Sequence, residues 1–409
     1  MNKCPGIAAL MMVFCAQGFA QVDWDVTEGP VFGTEQDPAT PDIYGPMVIK
    51  AAPGYKMWYT RRNGDTTENI GYAVSADGVT WELGDSLAML PATDGTRFDS
   101  KKKLGQPAVV QDGDTLRMWY WGNGPQIGNI GYAWSLDGEE WTKVDGAGTG
   151  KSVYDRTMDG SAALALTTPT VVKDGSTYRM WYSRLTLAGS AFHFAIGYAT
   201  SPDGRAWTNV AGPAAGGNML GSGASGKFDS HGTAFPSVVK DGDGFHMFYV
   251  GYDDLDSSRI GYATSPDGLA WTKVEGKGPM GSLLEGGSPS VIKSGPGFMM
   301  WFTGKDGVYL ATSGLGTGVL PGKPAYAGGN RLHPVGSAMD ISYSVSGRGF
   351  VSLAVFDSRG RKVRTLVGEF QSPGSHSVRL DAKSLSQGLY FCRLKVGGGF
   401  SQTLKMPVP

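Results

Sequence analysis

The sequence predicts an all-β protein made of a five-bladed β-propeller and a small β-sandwich. Two phrases recur along most of the chain with a period of about 60 residues, which is typical of a four-stranded propeller blade. Glycine is abundant, with 63 residues, and only 18% of residues are charged. This composition favours short strands and tight turns over helices. After residue 318 the repeats stop, and shorter segments of alternating polarity predict the sandwich.

The chain begins with a segment typical of a secretory signal peptide. Lys3 precedes an apolar run, and small residues stand at Gly18 and Ala20. We expect cleavage after Ala20, so that residues 1–20 are removed. Cys392 is then the one remaining cysteine, and the exported protein must be stable without disulfides. Because no other apolar stretch is long enough to span a bilayer, no membrane span is predicted.

Each repeat contains four predicted strands, A to D. The segment P-x-V-V is apolar and β-branched, as expected of a buried innermost strand A. A D-G or P-G turn leads to strand B, Y-x-M-W-Y, and I-G-Y-A-T-S forms strand C. The motif S-x-D-G-x-x-W, as in ATSPDGLAW, then turns the chain into strand D. Because this motif recurs in four units, we interpret Asp267 as holding the turn through backbone hydrogen bonds and Trp271 as a wedge between sheets.

The fifth repeat stops after strand C, in the phrase VYLATSG that begins at Val308. The segment VDWDVTEGP, residues 22–30, resembles the strand D phrases of the other repeats. We therefore predict that Trp24 begins the missing strand and that residues 21–318 form a closed propeller with few exposed strand edges. The short A–B and C–D turns should share one face, and the variable D–A and B–C loops the opposite face, where function is expected.

A linker rich in glycine and proline, residues 319–330, separates the repeats from the C-terminal region. Residues 331–409 contain short alternating segments such as FVSLAVFDSRGRKVRTL and GLYFCRLKV. The alternation and the turn signals predict a small antiparallel, immunoglobulin-like sandwich.

The repeat P-x-V-V-x-D-G-x-x-Y-x-M-W-Y with I-G-Y-A-T-S-x-D-G-x-x-W resembles the five-bladed glycosidase-like propellers, which include glycoside hydrolase families 32, 43 and 130. The resemblance covers roughly residues 22 to 318. The patterns V-F-D-S-R-G-R-K-V and Q-G-L-Y-F-C-R-L look like the sorting domain of type IX secretion cargo. These resemblances imply a secreted or cell-surface protein of a Gram-negative bacterium, whose C-terminal domain contacts the secretion machinery and whose propeller acts on a polysaccharide or oligosaccharide.

The resemblance also implies three carboxylates at the channel mouth, near the starts of inner strands. The first-blade Asp-Pro common in that superfamily is absent, since Gly45-Pro46 stands there with Asp42 four residues before the proline. Glycoside cleavage needs two carboxyl groups about 5 to 9.5 Å apart. We predict Asp42 as the base or nucleophile, Glu285 as the acid and Asp229 as the residue that tunes the acid.

Asp99 and Asp229 both lie in the sequence F-D-S, and this recurrence equally favours a loop anchor that bonds backbone amides. Arg61, Trp121 and Arg184 end strand B where other units have Gly251 and Gly304, which suggests sugar subsites or packing between blades. His231 and Tyr44 stand beside blade entries. We predict that the substrate-binding residues are Tyr44, Arg61, Asp99, Trp121, Arg184 and His231.

Several function classes lack support in the sequence. The formal net charge of −1 gives no argument for nucleic acid binding. No HExxH, Cys/His cluster, phosphate-binding loop or G-x-S-x-G elbow is present. We predict no cofactor; DDLDSS, residues 253–258, has calcium-loop spacing but no EF-hand pattern. The alternatives are a glycoside hydrolase or phosphorylase, and a propeller that binds carbohydrate or mediates adhesion without catalysis. A phosphorylase should gather arginine and histidine side chains around a phosphate site, for which Arg61, Arg184 and His231 are the candidates. In each case we predict a monomer.

Overall fold

The computed structural model describes residues 23–313 and 332–408, apart from short gaps. The gaps are at 39, 41, 65–66, 85–86, 101–102, 126, 189–190, 243, 254–256, 336–339, 346–348, 358–361, 372–373, 381–384 and 397–399. The predicted signal peptide and the whole of the predicted linker lie outside the described residues. Among the residues described, no helix combines the length and apolarity needed to cross a membrane.

The structure is nearly all β. The N-terminal segment contributes two short strands, β1 (Trp24–Val26) and β2 (Phe32–Gly33). The first two units then consist of β3 (Asp42–Ala51), β4 (Gly54–Arg62), β5 (Glu68–Ser75) and β6 (Trp81–Leu83), and of β7 (Lys103–Asp112), β8 (Thr115–Asn123), β9 (Asn129–Ser135) and β10 (Thr142–Val144). A four-residue helix, α1 (Arg156–Asp159), precedes the third unit.

The next units repeat the same order of strands. They consist of β11 (Ala165–Asp174), β12 (Thr177–Ala188), β13 (Ala191–Ser201) and β14 (Thr208–Asn209), and of β15 (Gly232–Asp241), β16 (Gly244–Tyr252), β17 (Ser258–Ser265) and β18 (Thr272–Val274). A further set follows as β19 (Leu284–Glu285), β20 (Gly287–Ser294), β21 (Gly297–Thr303) and β22 (Gly307–Ser313). Single 3-10 turns lie at Thr149–Lys151, Ala215–Gly217 and Pro279–Gly281.

Within each unit the four strands pair antiparallel in sequence order, and the last unit takes its fourth strand from the N-terminus. Trp24 of β1 pairs with Ser313 of β22, so the prediction that Trp24 begins the missing strand is confirmed. The first strands of the units lie against one another in the order β3, β7, β11, β15 and β20, and β20 returns to β3. The ends of the repeated region are therefore joined.

Each first strand is interrupted by a β-bulge at its proline. The residue before the proline has a positive φ in all five strands, for example 51° at Gln106 and 50° at Phe235. The pairing register shifts at the same place, between Gly105 and Ala108 in β7. Because a bulge bends a strand and redirects side chains, these positions set how the strands enter the face of variable loops.

The S-x-D-G-x-x-W turn is held by its own polar groups. In the fourth unit, Asp267 Oδ1 accepts hydrogen bonds from the backbone amides of Leu269 and Ala270, at 2.8 and 2.9 Å. Ser265 Oγ accepts from the Gly268 amide at 2.8 Å. These bonds confirm that Asp267 supports the turn.

The same turn also joins neighbouring units. The Gly268 carbonyl accepts from the indole N–H of Trp271 in its own turn and from that of Trp181 in the preceding unit, both at 3.0 Å. The two rings meet edge to face, which confirms Trp271 as a wedge between sheets. We call this arrangement the indole clasp; it recurs on the carbonyls of Gly78, Gly138 and Gly204.

One junction departs from this pattern. Phe248 of β16 occupies the place of the clasp tryptophan, so it has no indole N–H to donate. The rings of Phe248 and Trp24 of β1 meet edge to face, with their centroids 5.7 Å apart. At this junction, between the fourth and fifth units, contact between apolar rings replaces the hydrogen bond. The reason is that β1, the fourth strand of the fifth unit, comes from the N-terminal segment and does not follow an S-x-D-G-x-x-W turn whose glycine carbonyl could accept.

The C-terminal residues form two sheets that share one hydrophobic core. The strands are β23 (Leu332–Val335), β24 (Asp340–Val345), β25 (Gly349–Asp357), β26 (Lys362–Gln371), β27 (Gly374–Arg379), β28 (Gly388–Val396) and β29 (Phe400–Val408). One sheet has the order β23-β24-β27 and the other β26-β25-β28-β29. Cys392 is fully buried among the core side chains, and burial raises the pKa of its thiol to about 12, so it behaves as an apolar core residue.

Candidate functional site

The candidate site lies on the face where strand A begins, strand B ends and strand C begins. The D–A and B–C loops meet here, and these loops differ most between units. Asp42 begins β3, Arg62 ends β4, Glu68 begins β5 and Lys103 begins β7. The face therefore brings together ionisable side chains from two neighbouring units.

Two of the predicted carboxylates are buried within their own units. Asp99 accepts hydrogen bonds from the Tyr120 hydroxyl at 3.0 Å and from Lys143 Nζ at 2.6 Å. Asp229 has the corresponding partners Tyr249 and Lys273, at 2.9 and 2.5 Å. Both side chains are almost inaccessible to solvent. These contacts are those of a loop anchor made through side chains rather than backbone amides, which differs from a role in contacting sugar.

The two predicted arginine subsites are also buried in ion pairs. Arg61 donates to Asp37, which also accepts from the Tyr59 hydroxyl. Arg184 donates to Asp159 at 2.7 Å and is only 2% exposed. The side chains of both arginines point into their own units, so the structure gives them the geometry of buried structural pairs rather than of the predicted sugar or phosphate subsites.

The strand register explains why these arginines occur where they do. Arg61 and Arg184 align with Gly122 and Gly251, not with Trp121 as the sequence comparison assumed. A Cβ at Gly122 would lie 2.6 Å from the ring of Phe98, the phenylalanine of the first F-D-S. The second and fourth units, which contain F-D-S, therefore need glycine here and supply the cation from strand D, whereas the first and third units supply it from strand B.

The remaining carboxylate cluster is centred on Arg62. Its Nη1 lies 3.0 Å from Asp42 Oδ2, and its Nε lies 3.1 Å from Glu68 Oε1. Because one guanidinium joins both carboxylates, the two groups are no more than about 8 Å apart. Their environments differ, since the Glu68 side chain is 3% exposed and that of Asp42 is 46% exposed. Lys103 Nζ approaches Glu68 at 3.6 Å.

Tyr44, which the sequence predicts as a substrate-binding residue, lies against Arg62 of this cluster, and its contact with substrate stays a prediction. The Arg62 guanidinium lies over its ring, 5.1 Å from the centroid. Burial and the neighbouring Glu68 carboxylate raise the pKa of the Tyr44 hydroxyl. The phenol therefore stays protonated at neutral pH and can donate a hydrogen bond to a ligand or to Glu68.

Glu285 lies elsewhere on this face. It is exposed, and its strand β19 pairs with β17, where Glu285 is opposite Arg259. Strand β17 is the third strand of its unit rather than an inner strand. No contact among the described residues joins Glu285 to Asp42 or Asp229, so convergence of these three carboxylates stays a prediction.

Two further predicted residues are at least partly exposed. Trp121 is half-buried, and its indole Nε1, which is itself buried, has no hydrogen-bond partner within the described part of the chain. The exposed His231 stacks on His193, with ring centroids 6.1 Å apart. Their assignment to substrate stays a prediction. The DDLDSS segment lies partly outside the described residues, and within those that are described no group of three His, Cys, Asp or Glu side chains has the arrangement of a metal site.

Glu68 and Arg62 were missed by the sequence reasoning. Glu68 stands directly before N-I-G-Y, where the second to fourth units have glycine, phenylalanine and serine. A single acidic residue at a position where the second to fourth units have none was the sequence signal that could have identified Glu68. The family resemblance points to residues before inner strands, whereas Glu68 begins a third strand that reaches the next unit by pairing with Lys103.

The C-terminal residues match a known family. Residues 333–408 match the model of the secretion system C-terminal sorting domain, which confirms the predicted sorting domain and indicates an exported or cell-surface protein. Two uncharacterized proteins of Mycobacterium tuberculosis strains CDC 1551 / Oshkosh and H37Rv are each 32% identical over 176 residues. The match covers 40% of this chain, and the chain spans about half the length (53%) of these curated relatives.

Solved structures with the same fold are carbohydrate-active proteins. One of these structures comes from the GH130 family of mannoside phosphorylases, which contains glycoside hydrolases that target β-1,2-mannosidic linkages in Candida mannan. Its TM-score is 0.56 at 16% identity, and the match covers 72% of this chain and 94% of that one. The β-1,2-mannobiose phosphorylase of Listeria innocua gives 0.51 at 12%, covering 71% and 90%. A thermostable family-43 glycoside hydrolase gives 0.51 at 17%, covering 68% and 90%. At these identities the likeness establishes a propeller-like fold alone.

Proposed function

We propose that residues 21–318 form a five-bladed propeller, followed by a linker at 319–330 and an immunoglobulin-like sorting domain at 331–409. The closed ring of β3, β7, β11, β15 and β20 supports five blades. The two sheets around one core in the C-terminal region support a sandwich. Residues 1–20 are proposed to be the signal peptide that is removed on export.

The proposed activity is cleavage of a glycosidic bond in an extracellular glycan at the face of variable loops. The observation that carries this proposal is the pair Asp42 and Glu68, two carboxylates in unlike environments that one guanidinium holds together. Glycosidases need such a pair, since one group must donate a proton and the other must attack or activate water. The spacing of no more than about 8 Å is compatible with this chemistry.

In this proposal Glu68, buried beside Tyr44, donates a proton to the leaving glycosidic oxygen. Asp42, which is open to solvent, removes a proton from the water whose oxygen bonds to the anomeric carbon. Arg62 positions both carboxylates, and the Tyr44 hydroxyl donates to Glu68 or to a sugar oxygen. Hydrolysis is favoured over phosphorolysis because Arg61 and Arg184, the arginines expected at a phosphate site, are buried in pairs with Asp37 and Asp159.

A second candidate function is binding of a glycan without cleavage. The observation that favours it is that both carboxylates are ion-paired with Arg62 in the structure. The ion pairs occupy carboxylate oxygens that acid–base catalysis would need. In this case Tyr44, Trp121 and His231 would supply the contacts to sugar.

A screen of the purified mature protein against β-1,2-mannobiose, mannan, arabinan, xylan and fructan oligosaccharides tests the proposal. Parallel reactions with and without inorganic phosphate separate hydrolysis from phosphorolysis. If Glu68 is the acid, Glu68→Gln should lower the rate of sugar release about 100-fold or more. The matched control is Glu285→Gln, which should keep full activity. Loss of activity in the control alone would instead identify Glu285 as the acid, and binding without turnover would establish the second candidate.

A further inference from the structure

A cleft lies between the second and third units, on the face of the short turns and therefore away from Asp42 and Glu68. Its volume is about 500 Å³, within the size range of small-ligand sites. Its walls are formed by the A–B turns of both units and by the C–D turn of the third unit. The lining residues are Asp112, Arg117, Lys173, Gly175, Ser176, Tyr178, Pro202, Asp203 and Arg205.

The side chains of the cleft carry more positive than negative charge. Arg117, Lys173 and Arg205 are opposed by two carboxylates, Asp112 and Asp203. Asp203 Oδ1 is occupied by the backbone amides of its own turn, at 2.8 Å each. Asp112 is shared, because it accepts from Lys173 and lies 2.9 Å from Arg117 Nε. Arg205 is exposed at the rim and forms no ion pair with any described residue, which leaves an excess of positive charge there.

A flat apolar surface adjoins these cations. Trp134 is directly opposite Arg117 in the strand register, so the two side chains project from the same face of the sheet. That face is turned towards the third unit, since Arg117 lies over the ring of Tyr178 and donates to the Asp203 carbonyl at 3.2 Å. Trp134 is 37% exposed, and Leu136, the first residue after the end of β9, is 69% exposed.

These features are departures from the repeat. The positions equivalent to Trp134 hold Val74, Thr200, Thr264 and Thr312. The positions equivalent to Arg205, directly after the turn glycine, hold Val79, Glu139 and Leu269. On a face where the units otherwise use the same residues for the same bonds, an exposed arginine lines the cleft, and an exposed tryptophan stands opposite Arg117, which also lines it. Fold stability does not require either of them, because the other units keep the turn without them.

We propose that this cleft is an accessory binding site for an acidic saccharide, a sugar that carries a carboxylate or a sulfate group. The indole of Trp134 packs on the apolar face of the sugar ring. Arg205 and Arg117 bind the anionic group, since guanidinium forks match carboxylate and sulfate oxygens. Ser176 and the Asp203 carboxylate lie within the same cleft for hydroxyl groups of the sugar. The site is separate from the proposed catalytic face and binds without cleavage.

Isothermal titration of the intact mature protein tests this proposal with three probes. These are a trigalacturonate, a sulfated oligosaccharide of similar length and a neutral mannotriose. One of the acidic probes should bind and the neutral probe should not, with affinity that falls as salt is raised. The identity of the acidic probe that binds distinguishes a carboxylate site from a sulfate site. Failure of both acidic probes, or equal binding of the neutral one, would overturn the proposal.

Two variants restore the repeat at this cleft and are therefore expected to fold. Trp134→Thr introduces the residue of the third to fifth units, and Arg205→Leu introduces that of the fourth. Each should weaken binding of the acidic probe about tenfold or more without changing the melting temperature. Val74→Thr, the same position in the first unit, is the matched control and should bind normally. Unchanged affinity in both cleft variants would contradict the site.

The outcome is independent of the proposed glycosidase function. Asp42→Asn and Glu68→Gln should leave binding of the acidic probe unchanged, while the cleft variants should leave the rate of sugar release on small substrates unchanged. Loss of cleft binding in Glu68→Gln would mean that the probe binds at the loop face, and would also reject the accessory site.

Discussion

The two faces of the repeated region differ in how closely the units resemble one another. On the turn face, four units use the same Asp, Gly and Trp to make the same bonds, and a single glycine carbonyl in each turn accepts two indole N–H groups. On the loop face, the buried carboxylate is paired by lysine in two units and by arginine in two others. Repetition therefore identifies residues that hold the scaffold, and departures from repetition identify candidates for function.

The largest expected effect is loss of a clasp tryptophan. Trp119 is fully buried, and its indole donates to the Gly204 carbonyl at 2.7 Å across the junction between the second and third units. Trp119→Ala should lower the free energy of unfolding by about 3–5 kcal/mol, because a large cavity forms and a buried carbonyl loses a partner. Denaturant unfolding measures this change. Trp134→Thr is the exposed control. An equal loss of stability in the control would contradict the conclusion that repeated residues hold the scaffold and that residues departing from the repeat do not.

The next effect sharpens the interpretation of the loop face. Arg184→Met leaves Asp159 as a buried charge without its cation, and should lower the free energy of unfolding by about 3 kcal/mol. Substrate affinity of the folded variant should stay unchanged if Arg184 is a structural residue. Arg62→Met, whose side chain is 45% exposed, should instead change activity more than stability. A stable Arg184→Met variant that has lost sugar binding would restore the sequence-based prediction of a subsite.

A smaller effect concerns the pH dependence of one loop. Burial acts to raise the pKa of the Asp155 carboxyl, but hydrogen bonds from Thr157, Thr149 and Met158 outweigh it and lower that pKa to about 2. Because the folded pKa lies below the unfolded value of about 3.9, the carboxylate stabilises the fold above pH 4. This contribution, about 2 kcal/mol, is lost as the pH falls from 4 to 2.

Unfolding of wild type and Asp155→Asn at pH 6 and pH 2 measures that contribution. The stability difference between the two proteins should be larger at pH 6 and should shrink towards pH 2. A difference that is the same at both pH values would show that the Asp155 charge does not stabilise the loop.

The smallest effect returns to the turn motif. Asp267→Ala removes a carboxylate that accepts hydrogen bonds from the solvent-exposed backbone amides of Leu269 and Ala270. Because these bonds are exposed, the free energy of unfolding should fall by only about 1 kcal/mol. Activity should not change. Reduced activity at unchanged stability would mean that the turn face contributes to catalysis.

The sequence was sufficient for the features that recur. The role of Asp267, the wedge of Trp271 and the completion of the last unit by Trp24 follow from comparing the repeats, because equivalent positions make equivalent contacts. The partners on the loop face were less accessible to this reasoning. Arg61 and Arg184 looked like exceptions, and only the register with Gly122 and Gly251 identifies them as an alternative source of the same buried cation.

The sequence analysis missed Glu68 because its contacts join loops whose lengths differ between units. Glu68 reaches Arg62 across a hairpin and Lys103 in the neighbouring unit, and no periodic pattern encodes either contact. The left-handed residue before each inner proline was also missed, because local sequence preferences disfavour that conformation for non-glycine residues and tertiary packing overrides them.

The central claim is that activity depends on the Asp42 and Glu68 pair of the loop face. The most direct measurement is the rate of sugar release by wild type, Glu68→Gln and Asp42→Asn on the best substrate of the screen, with Asp267→Asn as the turn-face control. The account predicts a loss of about 100-fold or more in both loop-face variants, with the control active and all proteins folded. Full activity in Glu68→Gln would contradict it.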